Sequence, residues 1–231
     1  MENLNEQLKN LYSKNWDVLL EKLDSDENPI AGCFPLVIKI NEEKYKNSDF
    51  KLMVFGKETN GWDEGDGTLD SVLETYYKFT DSQGEFNVDY RSFFWDRVKD
   101  FHRTLKVKSN KNIYLIYNNL LKIGKLDSGR PPKYITDMER KYFSVIEDEI
   151  KILRPDLLLF LSGENYDDVI HDIWGDIEYQ AINPYQKNEL AKMNIPGVKL
   201  ALRSAHPQEI TSWSKHEYEK LFNTIIDQII F

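Results

Sequence analysis

Short apolar runs and longer amphipathic segments alternate along this chain. Four predominantly apolar runs each predict a buried β-strand, and they lie at 52–55, 113–117, 157–161 and 198–202. Apolar side chains at helical spacing predict helices near 69–80, 89–105, 136–153, 166–174 and 214–229, after a first amphipathic helix that ends before Pro29. Strands that alternate with helices indicate an α/β fold with a mostly parallel sheet and helices on both faces.

The length of 231 residues, 41% of them hydrophobic, suits one substantial core. We therefore predict a single domain over 1–231, with residues 1–28 as an N-terminal helix packed on it. No stretch of about 18 apolar residues occurs, and the first residues are polar and amphipathic. These features predict a soluble, intracellular, cytoplasmic protein without a membrane partner.

Cofactor and metal sites find little support in the sequence. The single cysteine, Cys33, excludes an internal disulfide and a cysteine-ligated iron–sulfur cluster, and is typical of a buried apolar position. The acidic residues at 63–66 are compatible with a hard cation or with a solvated turn. Phosphate-loop, dinucleotide-binding and serine-hydrolase motifs are absent. We expect neither a metal nor a cofactor.

The charge is uneven along the chain. The net charge is −9, but residues 97–133 hold ten lysines and arginines against two aspartates, which gives +8 in that window. A basic stretch on an acidic protein is typical of a local phosphate-contacting face. A solvated, lysine-rich helix end and loop is the alternative interpretation.

Ligands of α/β sheets bind at the carboxyl ends of the strands. That rule selects the segments that follow the apolar runs as candidate functional loops: Gly56–Trp62, Asn118–Lys122, Ser162–Tyr166 and Arg203–Gln208.

Three side chains in these segments have useful chemistry. Glu58 follows a buried strand, where loss of hydration would raise its pKa towards that of a general base, although it could equally cap the next helix. Asn118 can present a donor and an acceptor to a planar heterocycle, or form structural hydrogen bonds. His206, followed by Pro207, can donate a hydrogen bond to a developing oxyanion, or be structural.

In this order and at these strand ends, the three segments resemble the uracil-DNA glycosylase superfamily over roughly 50–215. G-K-E-T-N at 56–60 is similar to the family's G-Q-D-P-Y, and Y-N-N-L-L-K-I at 117–123 resembles its L-N-T-V-L-T-V. A-H-P-Q at 205–208 resembles the family's H-P-S after an apolar strand. The resemblance implies a three-layer α/β/α sandwich around a central, mostly parallel, four-stranded sheet.

The resemblance also implies an activity: hydrolysis of the N-glycosidic bond of uracil or another modified base, after the base is flipped out of DNA. Glu58 and His206 would be catalytic, the first by positioning water and the second by bonding the base carbonyl. Asn118 would read the base edge, beside Asn60 and Trp62. DNA would be contacted by Lys57, Arg203, Ser204, Pro207, Gln208, Lys122 and Lys125.

The sequence departs from the family pattern at four positions. Asn60 stands where the family's tyrosine blocks the thymine methyl group, so the resemblance does not indicate which base is recognised. Glu58 replaces aspartate and extends the carboxylate by one methylene, about 1.5 Å of reach. Thr59 replaces proline, and Gln208 replaces serine.

Two other hypotheses remain open. The degraded first motif and the acidic net charge are compatible with a non-catalytic module of the same fold that binds nucleic acid or a protein. An unrelated α/β hydrolase that acts on a small nucleotide-like substrate is the third.

Overall fold

A computed structural model describes residues 3–24, 32–60, 66–81, 92–127 and 129–229, without the side chains of Asn60 and Asp81. The chain divides into two compact units. Unit 1 comprises Met1–Glu42, Gly56–Asn87 and Tyr117–Arg154; unit 2 comprises Glu43–Phe55, Val88–Ile116 and Pro155–Phe231. Two strands run through the division, one at Phe55–Gly56 and one at Ile116–Tyr117.

The α-helices of the described part are Leu4–Ser13 (α1), Trp16–Leu23 (α2), Glu42–Lys46 (α3), Leu69–Asp81 (α4), Phe93–Ser109 (α5), Lys133–Tyr142 (α6), Ile146–Leu153 (α7), Asp167–Trp174 (α8) and Lys215–Asp227 (α9). The strands are Phe50–Asn60 (β1), Ile113–Lys125 (β2), Leu157–Phe160 (β3), Tyr179–Ala181 (β4), Leu190–Met193 (β5) and Ala201–Ser204 (β6). Single 3₁₀ turns occur at Glu164–Tyr166 and Pro207–Glu209. None of the helices in these ranges is both long and apolar enough to cross a membrane.

The strands form a mixed six-stranded sheet in the order β2-β1-β3-β6-β5-β4, which confirms the α/β class. Strand β3 pairs in parallel with β1 and with β6, whereas β5 is antiparallel to β6 and to β4. The four predicted strands correspond to β1, β2, β3 and β6. Strands β4 and β5 were not predicted, because each has only three or four residues and lacks a clear apolar run.

Strands β1 and β2 extend well beyond their apolar runs, which corrects two of the predicted loops. Residues 56–60 are the last part of β1, and residues 118–122 lie inside β2. Buried polar groups in these segments form internal hydrogen bonds; for example, the Thr59 hydroxyl donates to the carbonyl of Lys122 at 2.7 Å. A polar stretch can therefore continue a strand when its hydrogen bonds are met internally.

Unit 1 packs its helices through aromatic side chains. Helix α1 begins with a capping box between Asn3 and Glu6. The Phe143 ring lies 5.8 Å from the Tyr12 ring and 6.0 Å from the Trp16 ring. Phe143 is also where the predicted helix 136–153 breaks into α6 and α7, because its backbone is not helical. The break places this ring in the core.

Unit 2 has a core of apolar strands covered by α5 and α9. Phe55 and Phe160, paired in register, stack with ring centroids 4.6 Å apart, and Phe101 of α5 meets Phe222 of α9 at 5.3 Å. Ser214 begins α9 through a capping box. On β6, the next strand of the sheet, Arg203 is the register partner of Phe160.

Candidate functional site

In unit 1 the first motif is the end of strand β1, with both buried and partly exposed residues. Lys57 and Glu58 are partly exposed, whereas Thr59 is buried. Side chains of a strand alternate between faces, so Glu58 and Thr59 point to opposite sides. Trp62 and the side chain of Asn60, both predicted to contact the base, lie outside the described residues.

Asn118 is completely buried, and its amide is used inside unit 1. Its Oδ1 accepts from the Lys122 ammonium at 2.7 Å and from the Asn119 N–H at 2.9 Å, while its Nδ2 donates to Glu149 at 2.9 Å. Both acceptor positions of Oδ1 are thus taken. A base could reach this edge only by exchanging core hydrogen bonds, so the arrangement does not support base reading by Asn118.

Lys122, predicted to contact DNA, is also completely buried. Its ammonium donates to Glu149 Oε1 at 2.7 Å, and Glu149 also accepts from the Tyr12 hydroxyl at 2.7 Å. Burial lowers the pKa of Lys122, and the charge of Glu149 opposes that effect. Lys122 is therefore part of an internal ion pair that joins β2, α7 and α1, and we do not retain it as a DNA contact.

Asn119 is a polar residue that the sequence motifs do not single out. Its Oδ1 accepts from the Tyr117 hydroxyl at 2.5 Å, and its Nδ2 donates to the Thr59 hydroxyl at 3.2 Å. Burial raises the pKa of Tyr117, and the Glu58 charge adds to that rise. Side chains alternate between the two faces of a strand. A strand that continues through 117–119 therefore has Tyr117 and Asn119 on one face and Asn118 on the other, which is the sequence signal that distinguishes the two asparagines.

In unit 2 His206 is held in one orientation directly after β6. Its imidazole stacks on Phe94 with ring centroids 5.6 Å apart and an interplanar angle of 17°. Its Nδ1 accepts the backbone N–H of Gln208 at 3.2 Å. A peptide N–H can only donate, so Nδ1 carries no proton, and the neutral ring has its proton on Nε2.

The turn that follows His206 is hydrogen-bonded to the segment that follows β3. Glu209 accepts the backbone N–H of His206 at 3.4 Å and the Asn165 amide at 3.4 Å. Gly163 has φ +69°, and a side chain there would collide with the Glu209 carboxylate. Pro207 is buried and Gln208 is exposed, so of these two predicted DNA contacts Gln208 is the one that can meet a macromolecule.

The two residues before Ala205 are buried rather than exposed. Arg203 is 1% exposed and forms a two-point pair with Asp167, with both N–O distances at 3.1 Å. Its third contact is the carbonyl of Asn188 at 2.9 Å, and Ser204 is fully buried. Their prediction as DNA contacts finds no support in this arrangement, because their polar groups are satisfied within unit 2.

The basic window 97–133 is divided between the units. Its members from Arg97 to Lys111 belong to unit 2, and those from Lys122 to Lys133 belong to unit 1. Lys125 is partly exposed, and Lys133 pairs with Asp137 on the surface of α6. The net +8 of the sequence therefore includes one buried ammonium and several charges already paired.

Within the described residues no group of three or more histidine, cysteine or acidic side chains is arranged to hold a metal ion. Comparison with protein-family models gives no match, and comparison with curated proteins gives none either. What can be proposed about function therefore comes from the residues themselves.

Proposed function

We propose that this protein is a divergent DNA glycosylase that hydrolyses the N-glycosidic bond of uracil or another modified base after base flipping. The observation that carries the proposal is the hydrogen bond from the Gln208 N–H to Nδ1 of His206, which leaves Nε2 as the protonated nitrogen of the neutral ring. A neutral imidazole with its proton on Nε2 is a hydrogen-bond donor, and a donor is what a base carbonyl needs as negative charge moves onto the leaving base. The Phe94 stack and the Gln208 N–H fix this donor before substrate arrives.

The finer fold belongs to the same proposal. Strands β1, β2, β3 and β6 would be the central sheet of a uracil-DNA glycosylase-like three-layer sandwich, with β5 and β4 as an additional antiparallel edge. Glu58, partly exposed on β1, would position the attacking water. Lys57, Lys125 and Gln208 remain the candidate DNA contacts, because each has an exposed or partly exposed side chain.

Asn119 is a better base-edge candidate than Asn118. Both amides are buried, but among the described residues Asn119 Oδ1 accepts one hydrogen bond, from Tyr117, which leaves a second acceptor position, whereas both positions of Asn118 Oδ1 are occupied. The Tyr117 hydroxyl also fixes which side of the Asn119 amide is the acceptor.

Base release is the measurement that tests the proposal. Oligonucleotides carrying uracil, deaminated purines or bulky modified pyrimidines, in single- and double-stranded form, are incubated with the wild type, Glu58→Gln and His206→Ala. We expect release by the wild type and a loss of about 10²-fold for His206→Ala, the effect typical of removing one oxyanion donor. Glu58→Gln is expected to lose release while retaining DNA binding.

Lys187→Gln, a change of an exposed side chain outside the three motif segments, is the control and is expected to match the wild type. Wild-type release that is unaffected in His206→Ala would contradict the catalytic role of His206. No release from any oligonucleotide would contradict the glycosylase proposal.

The second candidate function is a non-catalytic nucleic-acid- or protein-binding module. The engaged amide of Asn118 favours it, because a residue that resembles a base reader serves the core instead. Salt-sensitive DNA binding without base release would support this module.

A further inference from the structure

Arg97 lies in the first half of α5, beside the segment that carries His206. Its guanidinium carbon is 4.8 Å from the centroid of the Tyr218 ring and 5.3 Å from that of Phe93. Phe94, which follows Phe93 in α5, stacks on His206. The Tyr218 hydroxyl donates to the carbonyl of Ile210, at the end of the His206 turn, at 2.8 Å, and lies 3.3 Å from the carbonyl oxygen of Pro207. One aromatic cluster in unit 2 therefore holds both Arg97 and the His206 turn.

The charge of Arg97 is poorly compensated. Its one polar contact among the described residues is a 3.3 Å ion pair between Nη2 and Asp100. Asp100 also accepts a hydrogen bond from Arg103 at 3.2 Å, so one carboxylate is shared by two guanidinium groups. The three side chains together keep a charge of about +1.

One buried hydrogen-bond donor of Arg97 also lacks an acceptor. Its Nε is buried and has no hydrogen-bond partner in the described structure. A buried donor without an acceptor is destabilising, and native proteins rarely leave one. The side chain as a whole is 21% exposed, so part of the guanidinium faces solvent. An oxyanion that approached the exposed part of the guanidinium from solvent would accept from its N–H groups there and would supply the missing negative charge.

We propose that Arg97 binds a phosphodiester group of the nucleic acid whose base is presented to His206. A phosphate suits a planar guanidinium because two of its oxygens can accept from two N–H groups at once. The rings of Tyr218 and Phe93 hold the guanidinium in place, so little side-chain freedom is lost on binding. This inference rests on the proposed function for its nucleic acid, but it does not require base release.

Arg103 provides a matched control. It is on the same helix, it shares the same carboxylate, and its side chain is 71% exposed; among the described residues it has neither of the two aromatic contacts of Arg97. Arg97→Gln and Arg103→Gln remove the same charge from α5. A general effect of charge would weaken binding equally in both variants, whereas a specific phosphate contact would single out Arg97.

The experiment measures binding of an oligonucleotide by fluorescence anisotropy over a range of salt concentrations. We expect Arg97→Gln to weaken binding roughly tenfold and to reduce the salt slope by about one, and Arg103→Gln to change affinity less than about threefold. Arg97→Lys keeps the positive charge but lacks the planar guanidinium with its paired N–H donors. Its affinity is expected to fall between those of the wild type and Arg97→Gln. Thermal unfolding of each variant shows whether the fold is retained.

A set of oligonucleotides with one uncharged methylphosphonate linkage each locates the contact. One linkage is expected to weaken binding to the wild type and to have no further effect on Arg97→Gln. Equal losses of binding affinity in Arg97→Gln and Arg103→Gln would overturn the inference. So would methylphosphonate effects that are all retained in Arg97→Gln. Binding of inorganic phosphate through Arg97 without oligonucleotide binding would overturn the nucleic-acid assignment.

The two proposals fail separately. If the wild type releases no base but Arg97→Gln still loses a linkage-specific contact, the glycosylase proposal is wrong and the phosphate site stands. If the wild type releases base and Arg97→Gln binds as the wild type does, the phosphate site is wrong and the glycosylase proposal stands.

Discussion

Replacing Glu149 by glutamine is expected to lower the free energy of unfolding by about 3 to 5 kcal/mol, the cost of breaking a buried ion pair from one side. The Lys122 ammonium and the Glu149 carboxylate are both 0% exposed and 2.7 Å apart. Glutamine would also place an amide N–H₂ against the donating amide of Asn118. Burial already lowers the pKa of Lys122, so without the carboxylate the ammonium must lose its proton or remain uncompensated.

Urea unfolding of the wild type, Glu149→Gln, Lys122→Met and the double variant measures the coupling. We expect the double variant to lose at least about 1 kcal/mol less than the sum of the two single losses, because it leaves no unpaired charge in the core. Lys133→Gln is the matched control. It breaks the exposed pair with Asp137, with side chains 81% and 48% exposed, and is expected to cost less than about 1 kcal/mol. Additive losses in the buried pair would show that Lys122 and Glu149 do not stabilise one another.

This internal ion pair explains why part of the site could not be predicted from the sequence. Lysine and asparagine after an apolar run read as the polar start of a loop, and the rule that strands end in functional loops then selected Asn118 and Lys122. The partner that makes both residues compatible with a core is Glu149, 27 residues further along the chain than Lys122. Nothing in the local pattern of β2 indicates such a distant partner.

The apolar runs predicted where strands begin more reliably than where they end. The four predicted strands are present, because a buried strand needs an apolar run wherever it crosses the core. Their lengths depend on hydrogen bonds between segments far apart in sequence, such as that from Thr59 to the carbonyl of Lys122. Short strands such as β4 owe their pairing to a neighbour more than to their own composition.

The sequence distinguishes His206 as a candidate site residue but does not distinguish Arg97. The A-H-P-Q segment after an apolar run directed attention to His206, and its local hydrogen bond to Gln208 is within reach of the sequence. Arg97 was one of ten positive residues in a window, with nothing to separate it from the others. Its aromatic neighbour Tyr218 is 121 positions away, and only the packing of unit 2 distinguishes Arg97 from Arg103.

The stability of this protein is expected to fall as the pH rises from about 4.5 to about 7, because of one buried carboxyl group, Glu139. Burial raises the pKa of Glu139 from 4.5 to about 7, against the opposing effect of the N–H groups of Lys122 and Ile123 that its oxygens accept. Below pH 4.5 the group is protonated in both the folded and the unfolded states. Between the two pKa values the unfolded chain releases its proton while the folded protein keeps it, which favours unfolding.

The contribution of Glu139 is therefore fully present below its unfolded pKa and lost as the pH passes its folded pKa. A difference of about 2.5 pKa units corresponds to about 3 kcal/mol. Urea unfolding at intervals between pH 4.5 and 8 measures the change, and Glu139→Gln isolates it, since a neutral amide does not titrate. We expect the difference in free energy of unfolding between the wild type and Glu139→Gln to shrink or reverse across this range. A difference that stays constant with pH would show that Glu139 titrates alike in the folded and unfolded states, and that its two backbone hydrogen bonds offset the cost of burying its charge.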